Sequence, residues 1–160
     1  MKRVLKILAF ILSGIILLLL ILPLLFKKQL AYELKKAVNK NINARMDFED
    51  VNVSLIRSFP NVNLQVLLME IDGIDEFEGI RLLSTEKIEL DLDLSSLIRP
   101  SKGIRIRSLE FINSAAEIMV TEDGKANYDI AKSESEETSL FLGEIEHYAI
   151  ENANINYNDK

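Results

Sequence analysis

Glu89, Asp91 and Asp93 stand at alternate positions in Glu-Leu-Asp-Leu-Asp, the arrangement of hard oxygen donors that could hold a divalent cation. Alternation puts all three on one face of an extended strand and Ile88, Leu90, Leu92 and Leu94 on the other. No second source of ligands accompanies them, so a solvated strand face is the better reading. The acidic stretch Asp72 to Glu78 fails as a calcium loop, because Gly73 and Ile74 occupy positions where an EF-hand alternates oxygen ligands. His147 is the single histidine and cysteine is absent, which excludes a Cys–His nucleophile pair and a histidine-rich zinc site within the chain. Nucleophile-elbow, P-loop and dinucleotide-binding motifs are missing as well. The expectation is a protein that is not an enzyme and needs no metal or cofactor.

The elements around these residues begin with a membrane signal. Ile7 to Phe26 contains twenty residues without a charge, sixteen of them Leu, Ile or Phe. As a helix it spans about 30 Å, the thickness of a bilayer's hydrocarbon core. Lys2, Arg3 and Lys6 precede it, as they would in a secretory signal, but the apolar run is too long and Phe26 is followed by Lys27-Lys28-Gln29-Leu30 instead of a small-residue cleavage site. A retained anchor is expected, with Ile7, Leu12, Leu17, Leu20 and Phe26 among its lipid-facing positions. Basic residues flank both ends, so charge alone leaves the orientation open.

Charge divides unevenly over the 160 residues. Residues 1–46 carry nine Lys and Arg against Glu33, whereas residues 47–160 carry ten against twenty-four Asp and Glu. A basic segment beside an anchor suits anionic headgroups, while an acidic domain is repelled by nucleic acid. No nucleic-acid partner is expected. The absence of cysteine fits an oxidising or a reducing compartment.

Residues 1–28 therefore read as basic start and anchor. Residues 29–46 place Leu30, Leu34, Val38 and Ile42 at helical spacing among lysines, which predicts an amphipathic helix that either lies on the membrane or continues from the anchor and packs on a sheet. From Asp47 the period becomes two: Val51, Val53 and Leu55, a turn at Ser58-Phe59-Pro60-Asn61, then Val62, Leu64, Val66 and Leu68, a hairpin. Lys87 to Leu94 is the clearest strand, and Ile104 and Ile106 open another after the turn Arg99-Pro100-Ser101-Lys102-Gly103. Glu117–Thr121 and Ala126–Ile130 bracket Glu122-Asp123-Gly124-Lys125, which predicts a hairpin with a primed turn. Residues 131–139 form an acidic, low-complexity, flexible loop. A recurrence of apolar-x-apolar-x-Gly/Asn ends at Gly73, Asn113 and Asn152, each a residue that reaches the left-handed region readily. It hints at an extended, repetitive sheet.

An anchor followed by Ala44-Arg-Met-Asp-Phe-Glu-Asp-Val51, Leu55-Ile-Arg-Ser-Phe-Pro-Asn-Val62, Phe77-Glu-Gly79, Leu92-Asp-Leu-Ser-Ser-Leu97 and Glu122-Asp-Gly-Lys-Ala-Asn-Tyr-Asp-Ile130 resembles the N-terminal part of AsmA-like proteins, over nearly the whole chain. That family is similar to the chorein-type bridge lipid-transfer proteins. The resemblance implies a mainly β fold behind the transmembrane and amphipathic helices, with residues 47–160 as a curled, groove-like antiparallel sheet. It also implies a single-pass inner-membrane protein with its C-terminal domain in the periplasm, phospholipid transport and outer-membrane biogenesis as the activity, and no catalytic residue. Family members continue for several hundred residues, a departure in length that leaves open whether this chain is a fragment of such a protein. Candidate groove residues are Val62, Leu64, Val66, Ile88, Leu90, Leu92, Ile104 and Ile106, with membrane phospholipids as the partner. The same one-sided strands fit a second reading, in which an anchored β-domain docks on an envelope protein such as an outer-membrane assembly factor or a longer homologue and carries no lipid.

Overall fold

A computed structural model describes residues 2–99, 105–132 and 145–159. One helix, α1 (Lys2–Asn41), runs unbroken from the basic start through the apolar run into the amphipathic segment. It is long and apolar enough to cross a membrane. At 1.5 Å per residue its 40 residues measure about 60 Å, twice a bilayer core, which leaves the C-terminal half for packing. The anchor positions Ile7, Leu12, Leu17, Leu20 and Phe26 are exposed, as an apolar helix needing another solvent would be.

Of the two readings of the amphipathic segment, the structure has the one that continues from the apolar run and packs on the sheet, and the helix stops at Asn41 instead of residue 46. Side chains end it: Asn41 Nδ2 donates to the Ala37 carbonyl at 2.8 Å and Lys132 Nζ to the Lys40 carbonyl at 3.0 Å, satisfying acceptors that a helix C-terminus leaves free. Asn39 then holds the returning chain, accepting from Met46 N at 2.7 Å and donating to Met46 O at 2.8 Å. It replaces a neighbouring strand at that point.

The strands are β1 (Arg45–Asp47), β2 (Asp50–Ser54), β3 (Val62–Asp72), β4 (Arg81–Leu92), β5 (Ile106–Val120) and β6 (Ile145–Asp159). They form one six-stranded sheet in the order β1-β3-β4-β5-β6, with β2 following β1 along the same edge of β3. The predicted hairpin is present, Val51 opposite Val66 and Val53 opposite Leu64. The all-antiparallel expectation is corrected, because β5 and β6 pair in parallel and the sheet is mixed and open. A parallel neighbour needs a crossover. The chain after β5 supplies it, returning past the end of α1 through the Asn43 N to Ile130 O bond at 2.6 Å before β6 begins.

Two local readings also change. Leu94 does not continue β4: it opens the short helix α2 (Leu94–Ile98), and Asp93 is its N-cap, accepting from Ser95 N at 2.9 Å and Ser96 N at 3.2 Å. The turn at residues 122–125 forms with Gly124 at φ +81°, but Asp123 is not in the left-handed region and the return arm makes only the bridge Val120 to Ala126. Ala126–Ile130 is therefore no strand. Asn127 takes over the pairing, its Oδ1 accepting from Met119 N at 2.9 Å and its Nδ2 donating to Glu117 O at 2.6 Å. Of the expected acidic loop and the turn at residues 99–103, all but Ala131, Lys132 and Arg99 lies outside the described residues.

The core lies between α1 and the sheet. Met46, Phe48, Val51, Val66 and Ile88 are buried there against Ala31, Leu34, Val38 and Ile42. A second cluster, Val62, Leu92 and Ile106, packs under Leu94 and Leu97 of α2 and Val53 and Leu55 of the hairpin. Burial of each such apolar side chain contributes roughly 1.5–3 kcal/mol, which fastens the sheet to the C-terminal half of α1.

Candidate functional site

Most of the groove candidates already have protein partners. Val66 and Ile88 belong to the cluster under α1, Val62, Leu92 and Ile106 to the cluster under α2, and Leu64 and Leu90 are half-buried beside them. Ile104 lies outside the described residues. What these residues do share is a face. Val66 lies opposite Ile88, Ile88 opposite Phe111 and Phe111 opposite Ile150; Leu64, Leu90, Leu109 and Tyr148 form the neighbouring row. Residues opposite one another project to the same side of a sheet, so the face that α1 covers at β3 and β4 continues across β5 to β6.

On β6 that face is uncovered. Ile145, Tyr148, Ile150, Ala153, Ile155 and Tyr157 lie opposite Ile106, Leu109, Phe111, Ser114, Ala116 and Ile118, and the exposure of Tyr148 reaches 79% and that of Ile150 62%. The other face carries His147, Glu151, Asn154, Asn156 and Asn158. The stripe is an exposed apolar patch on one side of an otherwise polar strand. The recurrence marks a strand here, but these residues are not among the groove candidates, because alternation does not show which apolar face is left uncovered. The signal was there: β5 and β6 pair at an offset of 39 residues throughout, the spacing between Leu109-Glu-Phe111-Ile-Asn113 and Tyr148-Ala-Ile150-Glu-Asn152.

A crease crosses the sheet at one level. The ladder skips Leu68 and Glu86 between β3 and β4, Glu86 and Asn113 between β4 and β5, and Asn113 and Asn152 between β5 and β6. Leu68, Asn113 and Asn152 have φ of 50°, 52° and 53°. Each strand thus carries one extra residue, and the inward series resumes on the same face three positions later, from Val66 to Met69 and from Phe111 to Ser114, whose buried hydroxyl donates to Thr85 Oγ1 at 2.9 Å. Asn152 Nδ2 donates to Asn113 Oδ1 at 3.0 Å, and Asn113 Nδ2 to Glu86 Oε2 at 2.5 Å, a polar seam along the crease. The recurrence read from sequence is this feature at Asn113 and Asn152; in β3 the left-handed residue is Leu68, not Gly73.

The three carboxylates of the β4 region do not converge on a cation. Asn63, 2% exposed, donates from Nδ2 to Glu89 Oε1 at 2.9 Å and to Asp91 Oδ1 at 2.8 Å, so this side of the strand is partly covered instead of freely solvated. Asp93 turns away to cap α2 and meets Arg107 Nη2 at 2.8 Å; Arg107 Nη1 in turn holds both carboxylate oxygens of Glu146 on β6 at 2.8 Å. The Ser95 hydroxyl and the Arg107 guanidinium, with the capping amides, hold the Asp93 carboxyl well below the usual carboxylate range. Among the described residues no group of three His, Asp or Glu could hold a metal ion.

A cavity of about 740 Å³ lies at the opposite end of the sheet, between Asn43, the turn at Asp75–Phe77 and residues 124–130. It is open and polar, with Lys125 Nζ bound to Glu76 Oε2 at 2.5 Å across its mouth. That ion pair engages Glu76 and Lys125, while Asp75 and Asp129 also line the cavity. Comparisons of the chain with protein-family models, curated proteins and solved structures gave no match.

Proposed function

We propose that the chain is an inner-membrane-anchored periplasmic protein of the AsmA-like type that takes part in phospholipid transport and outer-membrane biogenesis by laying acyl chains on an apolar sheet face. The observation that carries this reading is the uncovered face of β6, where Tyr148, Ile150, Ile155 and Tyr157 continue the buried face of β3 to β5 into solvent. α1 supplies the membrane, since its first 26 residues have no other apolar solvent, and its second half fixes the sheet beside it. An acyl chain lying along β6 would cover the stripe, and its headgroup would stay with water or the polar rim. The groove in this reading starts where α1 stops covering the sheet, not at Val62 to Ile106.

Lipid recovered with the protein tests it. The full chain, extracted from membranes and exchanged through a detergent without phospholipid, should retain bound phospholipid by mass spectrometry. Tyr148→Asp with Ile150→Asp should lower that amount by about tenfold, the ratio that 1.4 kcal/mol of lost apolar contact gives. Wild-type protein emerging lipid-free would overturn the proposal.

The second reading, a docking module, is favoured by one observation: among the described residues β6 is the last strand in the sheet order and is paired on one side only, along 15 residues. Such an edge is a template for strand addition by another envelope protein. Lipid-free wild-type chain that keeps a protein partner through the same exchange would support it.

A further inference from the structure

The hairpin tip between β2 and β3 is set by α1 at the level of the bilayer. Contacts pair the helix and the strand in opposite directions: Asn39 holds Met46, Lys35 pairs with Asp47, and Lys27 Nζ donates to Asp50 Oδ2 at 2.6 Å and to Asn52 Oδ1 at 2.9 Å. The twelve residues from Asn39 back to Lys27 cover about 18 Å of helix, and the six from Met46 to Asn52 cover about 20 Å of strand, so the two elements run side by side. Ser54 lies two residues, about 7 Å, beyond Asn52, which brings it level with the last apolar turns of the anchor before Lys27. The tip, residues 55–61, extends from there.

That tip has the composition of a membrane contact. Phe59 is 74% exposed and Ile56 47%, and Arg57 is the single charged residue among Leu55-Ile-Arg-Ser-Phe-Pro-Asn61. Arg57 lies 3.9 Å from Glu89, keeping its guanidinium near the base of the tip, at the depth where Lys27 sits on the helix. Apolar side chains at the end and a cation behind them match the sequence of acyl chain, then anionic headgroup, met on approaching a bilayer surface. At the opposite end of the sheet Glu76, Asp123 and Lys125 are exposed beside Tyr128, an aromatic that carries a hydroxyl, so that end is acidic and polar where the tip pairs Ile56 and Phe59 with a single cation.

We infer that the β2–β3 tip is a second membrane contact, in which Ile56 and Phe59 enter the acyl boundary of the bilayer that α1 spans and Arg57 meets its anionic headgroups. The inference rests on the proposal that α1 is a membrane anchor. Its consequence is orientation: a single spanning helix can tilt and rotate in the bilayer with the sheet fastened to it, whereas a helix and a tip together hold the sheet end-on to the membrane, with the β6 stripe rising from the lipid surface.

The cysteine-free chain allows a direct test. Phe59→Cys, Ile56→Cys, Lys125→Cys and Leu12→Cys, each as the single thiol of the full chain, are labelled with an environment-sensitive fluorophore. They are then reconstituted in vesicles of phosphatidylethanolamine and phosphatidylglycerol with spin-labelled acyl chains as quencher. Labels at Phe59 and Ile56 are expected to lose fluorescence as the Leu12 label does, and the Lys125 label to keep it. Quenching at Leu12 with none at Phe59 and Ile56 overturns the tip contact and leaves the anchor standing. No quenching at Leu12 overturns both.

Discussion

The part of the sheet under α1 and the part at β6 have the same one-sided alternation and opposite surroundings. Val51, Val66 and Ile88 are sealed beneath a helix, while Tyr148, Ile150, Ile155 and Tyr157 on the same face of the same sheet are exposed. An alternating strand states only that one face avoids water; what covers that face is decided by elements far away in sequence. Here α1 covers β1 to β4 and does not reach β6. The proposed function belongs to this region, because among the described residues nothing covers its face.

The widest expected contrast is in stability. Phe48→Ala, beneath α1, should cost about 3–5 kcal/mol through the lost contacts and the cavity, read as a fall in the denaturation midpoint of the full chain in detergent. Tyr148→Ala should stay within about 0.5 kcal/mol, since its side chain is exposed. Equal losses would mean that the β6 face is covered after all. Asn39→Ala should come next, at about 1–3 kcal/mol in the same measurement, because Met46 N and O lose the side chain that stands in for a strand neighbour.

The crease should show a smaller, chemically specific effect. Asn152→Val forces a β-branched residue to φ 53° and should cost about 1–2 kcal/mol, whereas Asn152→Gly should be milder because glycine accepts that backbone. If valine were tolerated as well as glycine, the left-handed crease would be wrong. The smallest effect concerns pH. The carboxyl of Asp93 titrates below its ordinary range when folded, so its contribution is present above the unfolded value near pH 4 and is lost as pH falls below it. The melting temperatures of wild type and Asp93→Asn should therefore differ at neutral pH and converge in acid.

Much of the fold could be read from residue order. The uncharged run to Phe26, the helical spacing of Leu34, Val38 and Ile42, and the alternation of Val62 to Leu68 and Ile88 to Leu92 each reflect a local period, and each element is present. Non-local features were less legible. The parallel pairing of β5 with β6 depends on a crossover through a stretch without periodicity. Asp93 reads as one more outward strand residue until Ser95, Ser96 and Arg107 are seen around it. Leu68 gives no hint of a left-handed backbone; only Asn113 and Asn152 carry the residue type that such a crease favours. The candidate groove residues were chosen for their alternation, a criterion that the buried Val66 and the exposed Ile150 meet equally.

The most direct test of the central claim places a photo-crosslinking residue at Ile150 and, separately, at Asn156 on the other face of β6 and at Val66 beneath α1, with irradiation in native membranes. Phospholipid adducts are expected at Ile150, with none at Asn156 or Val66. Adducts confined to protein at Ile150, or lipid captured equally at all three positions, would contradict an uncovered face that takes up lipid.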